Sequence, residues 1–201
     1  MELGRRGTIG STASRLGDLS LLVLSGQCTE NNVALLIAIV LASVGLQIRR
    51  VVTGHNQTGR ALAKIDEIAK NVISNRPGAL SCVIWSTDRF PVDNDGDGDP
   101  STRKIRLTID NGTVFRIVRF EPGISPRCHR TDSIDYAVVM SGEIEMELDD
   151  QVVRLRAGDV LVQRGTIHNW VNRGREPCVI AFVLGSAKPV TAGGKTLAVQ
   201  G

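Results

Sequence analysis

From residue 80 to residue 184 the chain is a succession of short runs rich in β-branched residues, each closed by a turn signal, and that rhythm restricts the fold more than any other feature. The runs are LSCVIWS (80–86), RKIRLTI (103–109), TVFRIVRF (113–120), DYAVVM (135–140), GEIEMEL (142–148), QVVRLR (151–156), DVLVQ (159–163), HNWVN (168–172) and EPCVIAFVL (176–184). Asn111-Gly112, Ser141-Gly142, Asp149-Asp150, Ala157-Gly158 and Arg173-Gly174 punctuate them. With no helical period between the runs, nothing supplies the crossovers of a parallel sheet. The expectation is a mainly β protein, an antiparallel double-sheet sandwich or barrel.

A chain of 201 residues has room for one such domain and an appendage. Seven aromatic residues give little material for stacking bases, and 24 basic residues interleaved with 21 acids form no stripe. No nucleic-acid partner is expected. The four cysteines, Cys28, Cys82, Cys128 and Cys178, stand about fifty residues apart without a CxxC pair, which predicts reduced and mostly buried thiols.

The chain divides into an apolar N-terminal extension (1–50), a linker with a short helix (51–79), the barrel (80–190) and a C-terminal tail (191–201). Within the extension, residues 33–48 (VALLIAIVLASVGLQI) would make a helix of about 24 Å, short of a hydrocarbon core of roughly 30 Å. Two readings stand: a membrane anchor, for which Arg49 and Arg50 would favour a cytoplasmic body, or a helix packed on the body. A secretory leader fits poorly, because the apolar run begins late. In residues 61–73 (ALAKIDEIAKNVI), Leu62, Ile65, Ile68, Ala69 and Val72 recur at spacings of three and four, which predicts a surface helix. The stretch DNDGDGD (93–99) has the opening of a calcium loop, but Lys104 occupies the place of the bidentate Glu, so a solvated acidic turn is the expectation.

Two segments carry chemistry. The first runs from Gly123 through His129, Thr131 and Asp135 to Gly142; the second runs from Gly158 through Gly165 and His168 to Asn172. Their order, spacing and strand-rich setting resemble the two motifs of the cupin family, over residues of about 105–185. The resemblance implies a jelly-roll barrel, the cupin double-stranded β-helix, with its ligand side chains converging inside one end. It further implies His129, Asp135 and His168 as the ligands of a divalent metal. Thr131 stands where the family has a second His, and Asp135 where it has Glu. Two imidazoles and a carboxylate suit Fe(II), which is favoured here, while zinc or manganese would use the same set. The alternative is a degenerate barrel without metal, in which hydrogen bonds satisfy His129 and His168.

Around these residues, Thr131, Asp132, Gln163, Arg164 and Trp170 are candidates for the substrate pocket. Arg164 either holds a substrate carboxylate or phenolate or is a solvated charge. Tyr136 alternates away from Asp135 and is expected in core or inter-sheet packing, and the parity of Cys128 points it away from His129. The run Thr-Asp-Ser-Ile-Asp-Tyr together with Gln-Arg-Gly-Thr-Ile-His is similar to small cupins of fungal polyketide pathways, of the salicylaldehyde type. That resemblance implies a metal-dependent oxidoreductase, with Asp135 in a catalytic role, acting on an aromatic or polyketide-like small molecule as a homodimer. Isomerisation, dehydration, decarboxylation and non-catalytic ligand binding are the competing functions.

Overall fold

The computed structural model describes residues 45–201. Its strands are β1 (Arg49–His55), β2 (Ala61–Ile68), β3 (Val72–Arg76), β4 (Ala79–Thr87), β5 (Thr113–Phe120), β6 (Ser133–Ser141) and β7 (Glu143–Glu147). They continue as β8 (Val152–Arg156), β9 (Val160–Arg164), β10 (Asn169–Val171), β11 (Cys178–Ser186), β12 (Thr191–Ala192) and β13 (Lys195–Thr196). A six-stranded sheet in the order β3-β4-β5-β11-β6-β9 faces a three-stranded sheet in the order β10-β7-β8, and every pairing is antiparallel. This is the double-sheet barrel expected from the sequence, with no α-helix crossing between strands among the described residues.

Alternation explains the interior. Along β6 and β11 every second residue is buried, so Ala137, Val139, Ile180, Phe182 and Leu184 face inward. They meet Ile144, Met146 and Trp170 from the smaller sheet. Phe120, Trp170 and Phe182 pack with ring centroids 5.7–6.4 Å apart. Each such pair adds about 0.5–1.5 kcal/mol beyond the burial of its area. The chain passes from the larger sheet to the smaller at Gly142, where φ is +74°.

A second cluster, Leu46, Ala69, Cys82 and Ile117, covers the outer face of the six-stranded sheet with help from Ile48 and Val72. Its lid corrects the sequence reading of residues 61–73. They are not a helix: Ala61–Ile68 is a strand paired with Arg49–His55, in a register that sets Val52 against Ile65. The spacing of Ile65 and Ile68 fits a helix, but the deciding signal is the turn before it. Asn56 Oδ1 accepts from the main-chain N–H of Thr58 and of Arg60, and Gly59 takes φ +76°, so the chain folds back on itself.

Arg50 latches this hairpin to the barrel. It is 4% exposed, and its guanidinium donates to both oxygens of Asp99 at 2.7–2.8 Å and to Glu67 at 2.7 Å. Those bonds hold the Asp99 carboxyl at about 2, below its ordinary value. A carboxyl depressed in the folded state stabilises it once ionised, so the contribution is complete above about pH 4–5 and is lost as pH falls towards 2. After a discount for partial exposure it amounts to about 1–2 kcal/mol. Asp99→Asn is therefore expected to flatten the fall in stability between pH 5 and 2, measured by urea unfolding at a series of pH values; an unchanged slope would refute the latch.

Two further expectations are corrected. Residues 103–109 form no strand but an irregular loop whose Arg106 and Leu107 carbonyls accept from Arg116 Nη2 at 2.8 and 3.0 Å. Tyr136 is 51% exposed on the outer surface rather than packed in the core. No helix among the described residues is long and apolar enough to cross a membrane, and residues 33–44 of the apolar run lie outside the described residues. The acidic turn is solvent-exposed, with Asp97 paired to Lys64. Cys82 and Cys178 are buried, and Cys128 is exposed.

Candidate functional site

His129 and His168 come together through the main chain. Each donates its main-chain N–H to the other's carbonyl at 3.0 Å, a two-bond antiparallel bridge that fixes the Cα positions whatever the side chains do. The two rings then lie 4.2 Å apart between centroids, tilted by 49°. His168 is 3% exposed and packs edge-on against Trp170 at 5.9 Å.

Both rings are oriented from behind. His129 Nδ1 lies 3.1 Å from the Arg127 carbonyl and His168 Nδ1 lies 3.0 Å from the Thr166 carbonyl. A carbonyl only accepts, so each Nδ1 carries the proton and each Nε2 keeps a free lone pair. The Gln163 amide nitrogen stands 2.9 Å from His168 Nδ1; because that ring nitrogen already donates to the Thr166 carbonyl, the amide is read in its flipped orientation, with its oxygen towards the ring. Burial lowers the His129 imidazole below its ordinary value. Burial and the neighbouring His129 bring His168 down to about 4. Both rings are neutral at pH 7, the form that binds a metal.

A second polar group lines the same end. Thr131, Ser133 and Asp135 occupy alternate positions on one inward face and are 4–6% exposed. Thr131 Oγ1 and Ser133 Oγ lie 2.8 Å apart, and Ser133 donates to Asp135 Oδ1 at 2.6 Å. Burial raises the Asp135 carboxyl against the opposing pull of Ser133 and Arg116. Asp135 pairs across the sheet with Gln163, so the two groups are neighbours. Among the described residues no three His, Cys, Asp or Glu side chains are grouped so as to hold one ion.

The remaining candidates separate. Gln163 and Trp170 are buried at 4% within the barrel. Arg164 follows Gln163 on the alternating strand and is exposed, on an outer surface cavity it shares with Arg130 and Asp150. Asp132 is half-buried and uses its carbonyl to accept from Ala187 N. Sequence reasoning missed Ser133 and Arg116. Both had a signal: Ser133 shares the parity of Thr131 and Asp135, and Arg116 shares that of Val114 and Phe120, where a charge is out of place.

The cupin domain family profile matches residues 116–184. The chain is 33% identical over 159 residues to the cupin-domain-containing oxidoreductase fogC of Aspergillus ruber, covering 75% of this chain and 78% of that protein. It is 36% identical over 150 residues to the cupin-domain-containing oxidoreductase virC of Hypocrea virens, covering 70% and 77%. It is 34% identical over 161 residues to oryzines biosynthesis cluster protein J of Aspergillus oryzae, covering 75% and 89%.

Proposed function

The chain belongs to the cupin family, and on that premise we propose that it is an oxidoreductase of small-molecule secondary metabolism whose substrate enters the histidine end of the barrel. The observation that carries this reading is the histidine bridge: two neutral imidazoles, each tied at Nδ1 to a main-chain carbonyl, with both Nε2 lone pairs free. That donor set fits a divalent ion. His129 and His168 would hold it, with the remaining positions left to solvent or substrate. A bound ion supplies Lewis acidity or, as Fe(II), access to dioxygen chemistry. Fe(II) is preferred because the relatives are named oxidoreductases; zinc or manganese would shift the reaction towards isomerisation, dehydration or decarboxylation.

The chain's own residues supply the rest. Gln163 and the Thr166 carbonyl keep His168 in one orientation, and Trp170 closes its flank to water. Asp135 accepts a proton rather than a metal. Its Oδ1 already takes the Ser133 hydroxyl hydrogen bond, and Ser133 meets Thr131, so a proton leaving a substrate hydroxyl at Thr131 has a two-hydroxyl path to a buried carboxylate. That no third His, Cys, Asp or Glu side chain groups with the histidine pair among the described residues also supports a second reading, a metal-free barrel that binds a small molecule without turning it over.

Metal analysis of anaerobically purified protein separates the two. Near-stoichiometric iron, reduced at least tenfold in both His129→Ala and His168→Ala, is the expected result. No metal above background, even after Fe(II), zinc and manganese are offered to the folded protein, would overturn the metalloenzyme and leave the binding barrel.

A further inference from the structure

Arg116 is the least expected residue in this barrel. It lies on the inward face of β5, between Val114 and Phe120, and is 5% exposed. A guanidinium cannot shed its charge at physiological pH, so its burial has to be compensated. Nη2 is satisfied by the Arg106 and Leu107 carbonyls at 2.8 and 3.0 Å, but Nε is buried without an acceptor. Asp135 is the only buried carboxylate among the described residues, and neither of its oxygens lies within 4 Å of Arg116.

The surroundings add positive charge. Arg127, whose main chain bonds both His129 Nδ1 and Asn169, is close enough for its charge to act on His129, His168 and Arg116. Arg76, held to the Ser125 carbonyl at 2.9 Å, acts on both histidines. Among the described residues neither Arg76 nor Arg127 has a carboxylate within 4 Å, whereas Arg49, Arg50, Arg119, Arg154 and Arg173 away from the site all do. Among the same residues Arg60, Arg106, Arg130, Arg156, Arg164 and Arg175 also lack a carboxylate within 4 Å, but Arg116 alone among the unpaired arginines is buried, and Arg76 and Arg127 are the two whose charge acts on the histidines.

We infer that the histidine end of the barrel binds an organic anion, a carboxylate, phenolate or enolate, with Arg116 Nε as its interior anchor and Arg76 and Arg127 at its approach. The inference rests on the reading that small molecules enter this end. It assigns to Arg116 the anion-holding role that the sequence had offered to Arg164. An oxyanion at Nε would complete the unsatisfied donor and the unpaired charge together, and an uncharged ligand would leave the charge unmet.

The test compares benzoate with benzyl alcohol by calorimetry on the full chain at pH 7 and fixed ionic strength. Benzoate is expected to bind at least tenfold more tightly, Arg116→Met to abolish that preference, and the equal charge change Arg154→Gln on the outer sheet to leave it intact. A second measurement needs no loss of the side chain: the Arg116 Nε–H resonance of the wild type, assigned by its absence in Arg116→Lys, should shift with benzoate and not with benzyl alcohol. Equal binding of the two aromatics overturns the anion anchor while leaving the barrel a small-molecule site. Binding of neither overturns both. A benzoate preference that survives Arg116→Met, or inorganic phosphate displacing benzoate at equal concentration, would also defeat the assignment.

Discussion

Gly142→Ala is expected to cost the protein about 2–5 kcal/mol of unfolding free energy, a large share of the roughly 5–15 kcal/mol that holds a domain folded. Two terms combine. An L side chain at φ +74° costs about 1–2 kcal/mol. The new Cβ would also stand 2.4 Å from the Pro177 carbonyl oxygen and 2.9 Å from Cys178 Cα, and both obstacles are backbone that cannot swing aside. Relieving the overlap displaces the start of β11, the strand paired on both sides in the middle of the larger sheet, at about 1–3 kcal/mol more. Gly158→Ala is the control, since φ is +92° there but nothing lies within 4 Å of the added carbon. Urea unfolding should show Gly158→Ala losing only the backbone term. Equal losses in the two variants would show that the approach of β11 to the corner does not matter.

Asn172→Ala should lose about 3 kcal/mol, although it removes only a small polar side chain. Asn172 is 1% exposed. Its amide donates to the Phe120 carbonyl at 3.0 Å and the Glu176 carbonyl at 2.9 Å, and its Oδ1 accepts from Gly174 N at 2.9 Å. Truncation strands the buried Phe120 carbonyl and leaves the part-buried Glu176 carbonyl and Gly174 N–H without their partner, an unmet buried group costing about 1–3 kcal/mol and the part-buried ones less. Asn172→Asp is the sharper experiment. It keeps the shape but replaces a donor with a charged acceptor facing two carbonyls, so it should fall below the alanine variant at pH 7. Thermal unfolding that ranks the Asn172→Asp variant with the wild type would remove the argument.

These two positions also show what the sequence could convey. Gly142 and Asn172 close the two motifs, and part of what each does is local: a left-handed corner at Gly142, and a turn in which Asn172 holds Gly174 and Glu176. Such roles depend on short-range backbone geometry and can be read from residue type and spacing. The histidine bridge is legible for the same reason, because the motif spacing sets both residues on facing strands. Residues 61–68 mislead because isoleucines three apart satisfy a helix and a half-exposed strand alike; the partner strand Arg49–His55 and the Asn56 turn decide between them, and both lie outside that stretch. The 103–109 run has strand composition but finds no ladder, and its carbonyls are taken by Arg116 instead. The place of Asp135 is beyond the reach of pattern. Parity puts it on the inward face, but whether its carboxylate meets the imidazoles or a neighbouring serine is settled by side-chain distances that spacing does not encode.

The bridge between His129 and His168 has a consequence for how this barrel end can change. The spacing of the two positions is set by reciprocal N–H to carbonyl bonds that every residue except proline can make. The frame is therefore indifferent to what it carries. One donor can be exchanged without moving the other, which lets a lineage drift from one reaction to another through single substitutions, each on a still-folded protein. It also offers an engineer a seat in which new ligand pairs can be tried two codons at a time.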